Sequence, residues 1–201
     1  MKKHLANIIT LFRLLGVAVI FLCSPFQSVN VQCDILLFYI LLAGSDWIDG
    51  KIARSSWGTE TTWGKILDSA ADKMLFLTFL PLIEMRQVSS TVAGIIIGRH
   101  LLIFTLRLVA ASKHHILGPR WTGKYNTAFT LIVAGILLAR VNMLQGKPEW
   151  FHRTSIYWII DMVQAIPQVY ITLIIWFVCL WTVYTIYDYF SAHWKFISFP
   201  Q

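Results

Sequence analysis

The chain has 201 residues, 57% of them hydrophobic and 13% charged, with 17 Lys and Arg against 10 Asp and Glu for a net charge of +7. A soluble domain holds about a quarter charged residues, so this composition excludes one and describes a chain solvated by lipid. The basic residues form no dense stripe, which argues against a nucleic-acid partner and fits anionic lipid surfaces and phosphate-bearing substrates.

Six apolar segments are predicted at 7–27, 33–55, 62–85, 90–112, 123–143 and 165–190, each near the roughly 20 residues a spanning helix needs. The expected fold is therefore all-α: a polytopic membrane protein with six transmembrane helices in one domain, 1–201. The first apolar run is long enough to stay in the bilayer, and no small-residue cleavage site follows it. Its opening, "NIITLFRLLG", places Asn7, Thr10 and Arg13 at i, i+3, i+6. They either line a headgroup site, or Asn7 caps the helix while Arg13 snorkels.

The second and third segments meet in "SDWIDGKIARSSWGTETTWGKILDSAADK", residues 45–73. Asp46 and Asp49 sit at i, i+3 with Ala53 following at i+4, on one helical face next to Gly50. Beyond the connector, Gly64, Asp68 and Asp72 run i, i+4, i+8. A short connector makes the two helices antiparallel neighbours, so their acidic faces are expected to meet. Four carboxylates in a low dielectric repel strongly, and a divalent cation or two resolves this, since hard oxygen ligands suit Mg²⁺, Mn²⁺ or Ca²⁺. Gly50, Ala53 and Gly64 leave room for a bulky ligand, and Arg54 offers a fork for phosphate oxygens. Together these residues describe a diphosphate site in which two metals clamp a displacement at phosphorus.

The fourth segment carries Arg99 and Arg107 eight residues apart. Arg99 lies deep, where a charge is expensive and points to function; Arg107 and Lys113 lie where they can snorkel. Arg120 and Lys124 open the fifth segment in "GPRWTGKYNTAFT". Basic residues there suit an acceptor that carries its own phosphate. His114-His115 reads as a solvated pair. Residues 147–167 form either an interfacial helix or a loop with an aromatic belt. The tail "WTVYTIYDYF" reads as a lipid-facing stripe with Asp188 near the interface. Lys2, Lys3, Lys51, Arg54, Lys65, Lys113, Arg120, Lys124 and Lys195 gather on one side of the spans, so both termini and the acidic connector are expected to face the cytoplasm. Cys23, Cys33 and Cys179 have no metal-ligand spacing and read as apolar fillers.

The pattern D46-x-x-D49-G50-x-x-A53-R54, nine residues, then G64-x-x-x-D68-x-x-x-D72 resembles the signature of the CDP-alcohol phosphotransferases, with all eight positions filled. The gap before Gly64 is slightly longer than the usual spacing. The resemblance implies transfer of a phosphatidyl group from a CDP-linked lipid to an alcohol with release of CMP. Carried over by position, it implies that Asp46, Asp49 and Asp68 ligate Mg²⁺ or Mn²⁺ (two ions). Asp72 would be the general base and would also touch metal. Gly50, Ala53 and Gly64 would admit the cytidine nucleotide, and Arg54 would hold the diphosphate. It also implies a homodimer. An ion- or proton-coupled transporter would explain buried acids too, but leaves Arg54 and Gly64 in register with both acidic pairs unexplained.

The second, basic cluster resembles the phosphatidylglycerophosphate synthase branch of that family. This implies CDP-diacylglycerol as donor, glycerol 3-phosphate as acceptor, and Arg99, Arg107, Arg120 and Lys124 as acceptor-phosphate ligands. Two positions depart from that branch: Asn126 stands where a second lysine is common, and His100 where an acid is common. "GKYNTA" equally resembles the cardiolipin synthase branch. The acceptor therefore stays open, with glycerol 3-phosphate first, phosphatidylglycerol second, and inositol phosphate or another alcohol after them.

Overall fold

The computed structural model of the chain describes residues 15–23, 29–54, 73–112, 118, 120–144 and 156–193. Among these the regular structure is helical throughout. Helix α1 covers 15–23 and α2 Val29–Arg54. A 3₁₀ turn at Leu75–Thr78 leads into α3, Phe79–Glu84. Then follow α4 (Ser90–Ser112), α5 (Trp121–Leu144), α6 (Ile156–Ala165) and α7 (Gln168–Ala192). Three helices are long and apolar enough to cross a membrane: Ser90–Ser112, Trp121–Val141 and Gln168–Ala192. They correspond to the fourth, fifth and last expected spans. Cys33–Gly44 and Leu75–Glu84 are shorter apolar helices.

One expected span departs from the helices found, and prolines account both for its interruption and for where the last span begins. In 62–85 the described part, 73–84, is interrupted by the 3₁₀ turn. Pro81 has no N–H for the carbonyl of Leu77 and its ring crowds that carbonyl, so the preceding turn tightens. The last expected span, 165–190, is found as Gln168–Ala192, its start set by the break at Ile166–Pro167 that separates it from α6. A proline keeps the residue before it out of the helical region, and Pro167 itself is extended, at φ −56° and ψ 145°. The segment 147–167, open between helix and loop, is helical from Ile156 to Ala165.

The chain divides into two compact units, Met1–Gln87 with Ala134–Ala165, and Val88–Val133 with Ile166–Gln201. In the first, α1 lies against α2 at Gly16, where a Cβ would stand 2.7 Å from Leu42 Cδ2. A bare backbone there permits the helices' close approach, the usual device where lipid gives no hydrophobic drive. Phe76, Phe79 and Leu82 are buried in the same unit. In the second unit α4 packs on α7, through buried Ala93, Ile96, Val178 and Cys179 among others. Ser89 caps α4 by accepting the Val92 N–H at 3.3 Å. The outer face of α7 carries exposed Trp176, Phe177, Leu180, Tyr184 and Tyr187, suited to lipid. All three cysteines are free thiols, two of them buried.

Helix α3 ends in a left-handed turn. Gln87 N–H reaches Leu82 O and Arg86 N–H reaches Ile83 O, both at 2.9 Å, with Arg86 at φ 55°. That position ordinarily falls to glycine because a Cβ crowds the following carbonyl. Arg86→Gly should therefore stabilise the fold by about 1 kcal/mol, read as a higher melting temperature in detergent, whereas Arg86→Val should lower it.

Candidate active site

Helix α2 continues without a break through Asp46, Asp49, Gly50, Ala53 and Arg54. The helical period sets Asp46, Asp49 and Ala53 on one face of its final turns. Gly64, Asp68 and Asp72 lie outside the described residues, as do Asn7, Thr10, Arg13, Lys113 and His114-His115. Among the described residues, no group of three His, Cys, Asp or Glu side chains converges to hold a metal.

The basic cluster is described in more detail. Arg99 is 6% exposed, on the face of α4 turned toward its unit's interior. Its Nε–H donates to Thr185 Oγ1 of α7 at 3.3 Å. Its Nη1 donates to His100 Nδ1 at 3.2 Å; since arginine has no lone pair to offer, that imidazole nitrogen is the acceptor. A Cβ on Gly123 would lie 2.9 Å from Arg99 Nη2, so the guanidinium rests against bare backbone at the start of α5. Among the described residues, these partners are neutral. A buried cation matched by neutral groups alone is costly, and an anionic ligand would relieve that cost.

The seam extends along α7. Thr185 Oγ1 donates to the Thr182 carbonyl at 2.8 Å. The Thr182 hydroxyl shares its proton between Val178 O at 2.7 Å and Asn126 Oδ1 of α5 at 3.0 Å. Asn126 and Thr130, one turn apart on α5, are both fully buried. Asn126 Nδ2 and Thr130 Oγ1 have no hydrogen-bond partner among the described residues.

The other three basic residues lie differently. Arg107 is exposed and its guanidinium sits over the Tyr189 ring, 5.8 Å from the centroid. Lys124 is exposed beside Trp121, 5.4 Å from that ring's centroid. Arg120 Nε pairs with Asp188 Oδ2 at 2.7 Å, and Thr122 Oγ1 donates to the same oxygen at 2.6 Å. Asp188 thus places a negative charge at the positive end of α5 while tying α5 to α7. Arg99 is the buried member of the four, and Arg120 already has a carboxylate.

A comparison with protein families adds the deciding observation: the family model described as CDP-alcohol phosphatidyltransferase matches residues 3–184. The chain belongs to that family. As a CDP-alcohol phosphatidyltransferase it is an enzyme of phospholipid synthesis. The match reaches into both compact units and includes every acidic signature position. It is similar to the CDP-diacylglycerol–glycerol-3-phosphate 3-phosphatidyltransferase of Haemophilus influenzae, 32% identical over 150 residues, covering 71% of this chain and 79% of that protein. It is also similar to the enzyme of the same name from Escherichia coli K12, 28% identical over 155 residues, covering 71% and 81% respectively.

The partners of the basic residues in this CDP-alcohol phosphatidyltransferase escape a reading of the tail as a lipid-facing stripe alone. Thr182, Thr185 and Tyr189 recur at i, i+3, i+7 and are buried, while Val183, Tyr184 and Tyr187 are exposed. That polar period beneath the aromatics was the available signal. Asp188 sits at the inner end of an ion pair, 13% exposed against 40% for Arg120. A double-mutant cycle with Arg120→Gln and Asp188→Asn should give a coupling of about 1 kcal/mol, measured by thermal unfolding.

Proposed function

We propose that this chain transfers the phosphatidyl group of CDP-diacylglycerol to glycerol 3-phosphate and releases CMP. The observation that carries the acceptor is Arg99: a buried guanidinium with neutral partners among the described residues, in a chain whose similar proteins bear glycerol-3-phosphate transferase names. Arg107 and Lys124 would add attraction for the acceptor phosphate, and Arg120 would do so as far as its pairing with Asp188 allows.

Donor chemistry fits a divalent cation: Asp46 and Asp49 stand at i, i+3 on α2, and carboxylates are hard oxygen donors. With Asp68 and Asp72 they would hold Mg²⁺ or Mn²⁺, in two ions by family resemblance. When bound, the metal would neutralise diphosphate charge and assist departure of CMP. Arg54 would hold diphosphate oxygens, and Gly50, Ala53 and Gly64 would leave space for the nucleotide. Asp72 would take the proton of the acceptor hydroxyl. The hydroxyl oxygen then bonds to the lipid-side phosphorus, and the bond from that phosphorus to the bridging oxygen breaks, that oxygen leaving with CMP. The active site and both termini face the cytoplasm in this reading, one domain spans 1–201, and the enzyme works as a homodimer.

The test is CMP release by purified protein in detergent with CDP-diacylglycerol, Mg²⁺ or Mn²⁺, and a panel of acceptors. Metal-dependent CMP with glycerol 3-phosphate, falling at least about a hundredfold in Asp72→Asn, is the expected result. CMP with phosphatidylglycerol alone would mean cardiolipin synthesis instead. Folded protein inert with every acceptor would favour a transporter.

A further inference from the structure

We infer that Thr185 and Gly123 are positioning residues that fix the Arg99 guanidinium for the acceptor phosphate. The inference rests on the acceptor reading above and asks how one flexible side chain becomes a defined fork. Four side-chain torsions set the position and orientation of the arginine guanidinium, and their freedom must be lost before two N–H groups can meet a phosphate together. Here the loss precedes ligand binding. Thr185 takes the Nε–H at 3.3 Å and His100 takes one Nη1–H at 3.2 Å. Gly123 sets the position of Nη2, since a Cβ on that residue would come within 2.9 Å of it. Two of the five guanidinium N–H groups are then committed, and three remain on the two η nitrogens for an anion.

The Thr185 hydroxyl is itself oriented. Its proton goes to the Thr182 carbonyl at 2.8 Å, which turns a lone pair toward Arg99. Thr182 in turn holds Asn126 of α5 at 3.0 Å, one turn beyond Gly123. A single polar seam on α7 therefore fixes both the guanidinium from α4 and the stretch of α5 against which it rests. Thr185 and Gly123 would touch no substrate; they act through Arg99.

The test compares steady-state kinetics and thermal unfolding of the full chain in detergent, with glycerol 3-phosphate and CDP-diacylglycerol varied separately. Thr185→Val keeps shape and removes the hydroxyl. It should raise KM for glycerol 3-phosphate about tenfold while leaving KM for CDP-diacylglycerol unchanged, and Thr185→Ser should restore the normal value. Gly123→Ala improves helix propensity, so it should fold at least as well as the wild type. It should still raise the acceptor KM severalfold, which keeps the test decisive if Thr185→Val folds poorly. Equal changes in both KM values together with a lower melting temperature, or no rescue by serine, would mean a merely structural threonine and overturn the inference. So would normal kinetics in both variants. A folded wild type that releases no CMP with glycerol 3-phosphate would overturn the acceptor reading and this inference with it.

Discussion

Burying a guanidinium among helices that otherwise pack apolar side chains is the constraint around which the second compact unit is built. Removal of an ion from water costs several kcal/mol even after relaxation. Arg99 recovers part of that through two hydrogen bonds to neutral groups, on Thr185 and His100. The rest of the local sequence follows from this one choice. Gly123 must be small, Thr185 must offer a lone pair, and Thr182 must present its carbonyl to the Thr185 proton. An apolar replacement would satisfy packing with far less machinery, which supports the ligand-binding role proposed for the charge.

The rim of the same unit shows a different use of charge. Arg120 and Asp188 meet at 2.7 Å, with Thr122 on the same carboxylate oxygen. That pair is partly exposed, adds modest stability and anchors the start of α5. Basic residues that look equivalent in sequence thus divide by surroundings. One is paired, one stands over a tyrosine ring, one lies beside a tryptophan, and one is buried with neutral partners.

The long, uninterrupted apolar runs were legible because the bilayer sets helix length: 90–112 corresponds to Ser90–Ser112, and 123–143 to Trp121–Leu144. Hydropathy alone does not register backbone donors, so the effects of Pro81 and Pro167 needed the missing N–H and the restricted preceding residue to be weighed. The acidic signature is a matter of residue type and spacing, and the continuity of α2 to Arg54 sets Asp46, Asp49 and Ala53 on one face. Thr182 and Thr185 were hidden because the aromatics around them dominate any hydropathy pattern. The partner of Thr185 lies 86 residues away in sequence and that of Thr182 56 residues away, which no local period encodes.

A charge kept for a ligand leaves a thermodynamic signature, and Arg99→Met reads it most directly. Thermal unfolding of wild type and variant should be compared in detergent, with and without glycerol 3-phosphate, and with glycerol as the uncharged control. If the buried guanidinium serves the acceptor phosphate, the methionine variant without ligand will be at least as stable as the wild type. Glycerol 3-phosphate at a hundred times its Kd will stabilise the wild type by about 2.7 kcal/mol, glycerol will not, and the variant will respond to neither. A variant that is markedly less stable yet still stabilised by glycerol 3-phosphate would make Arg99 a structural cation and contradict its place in the site.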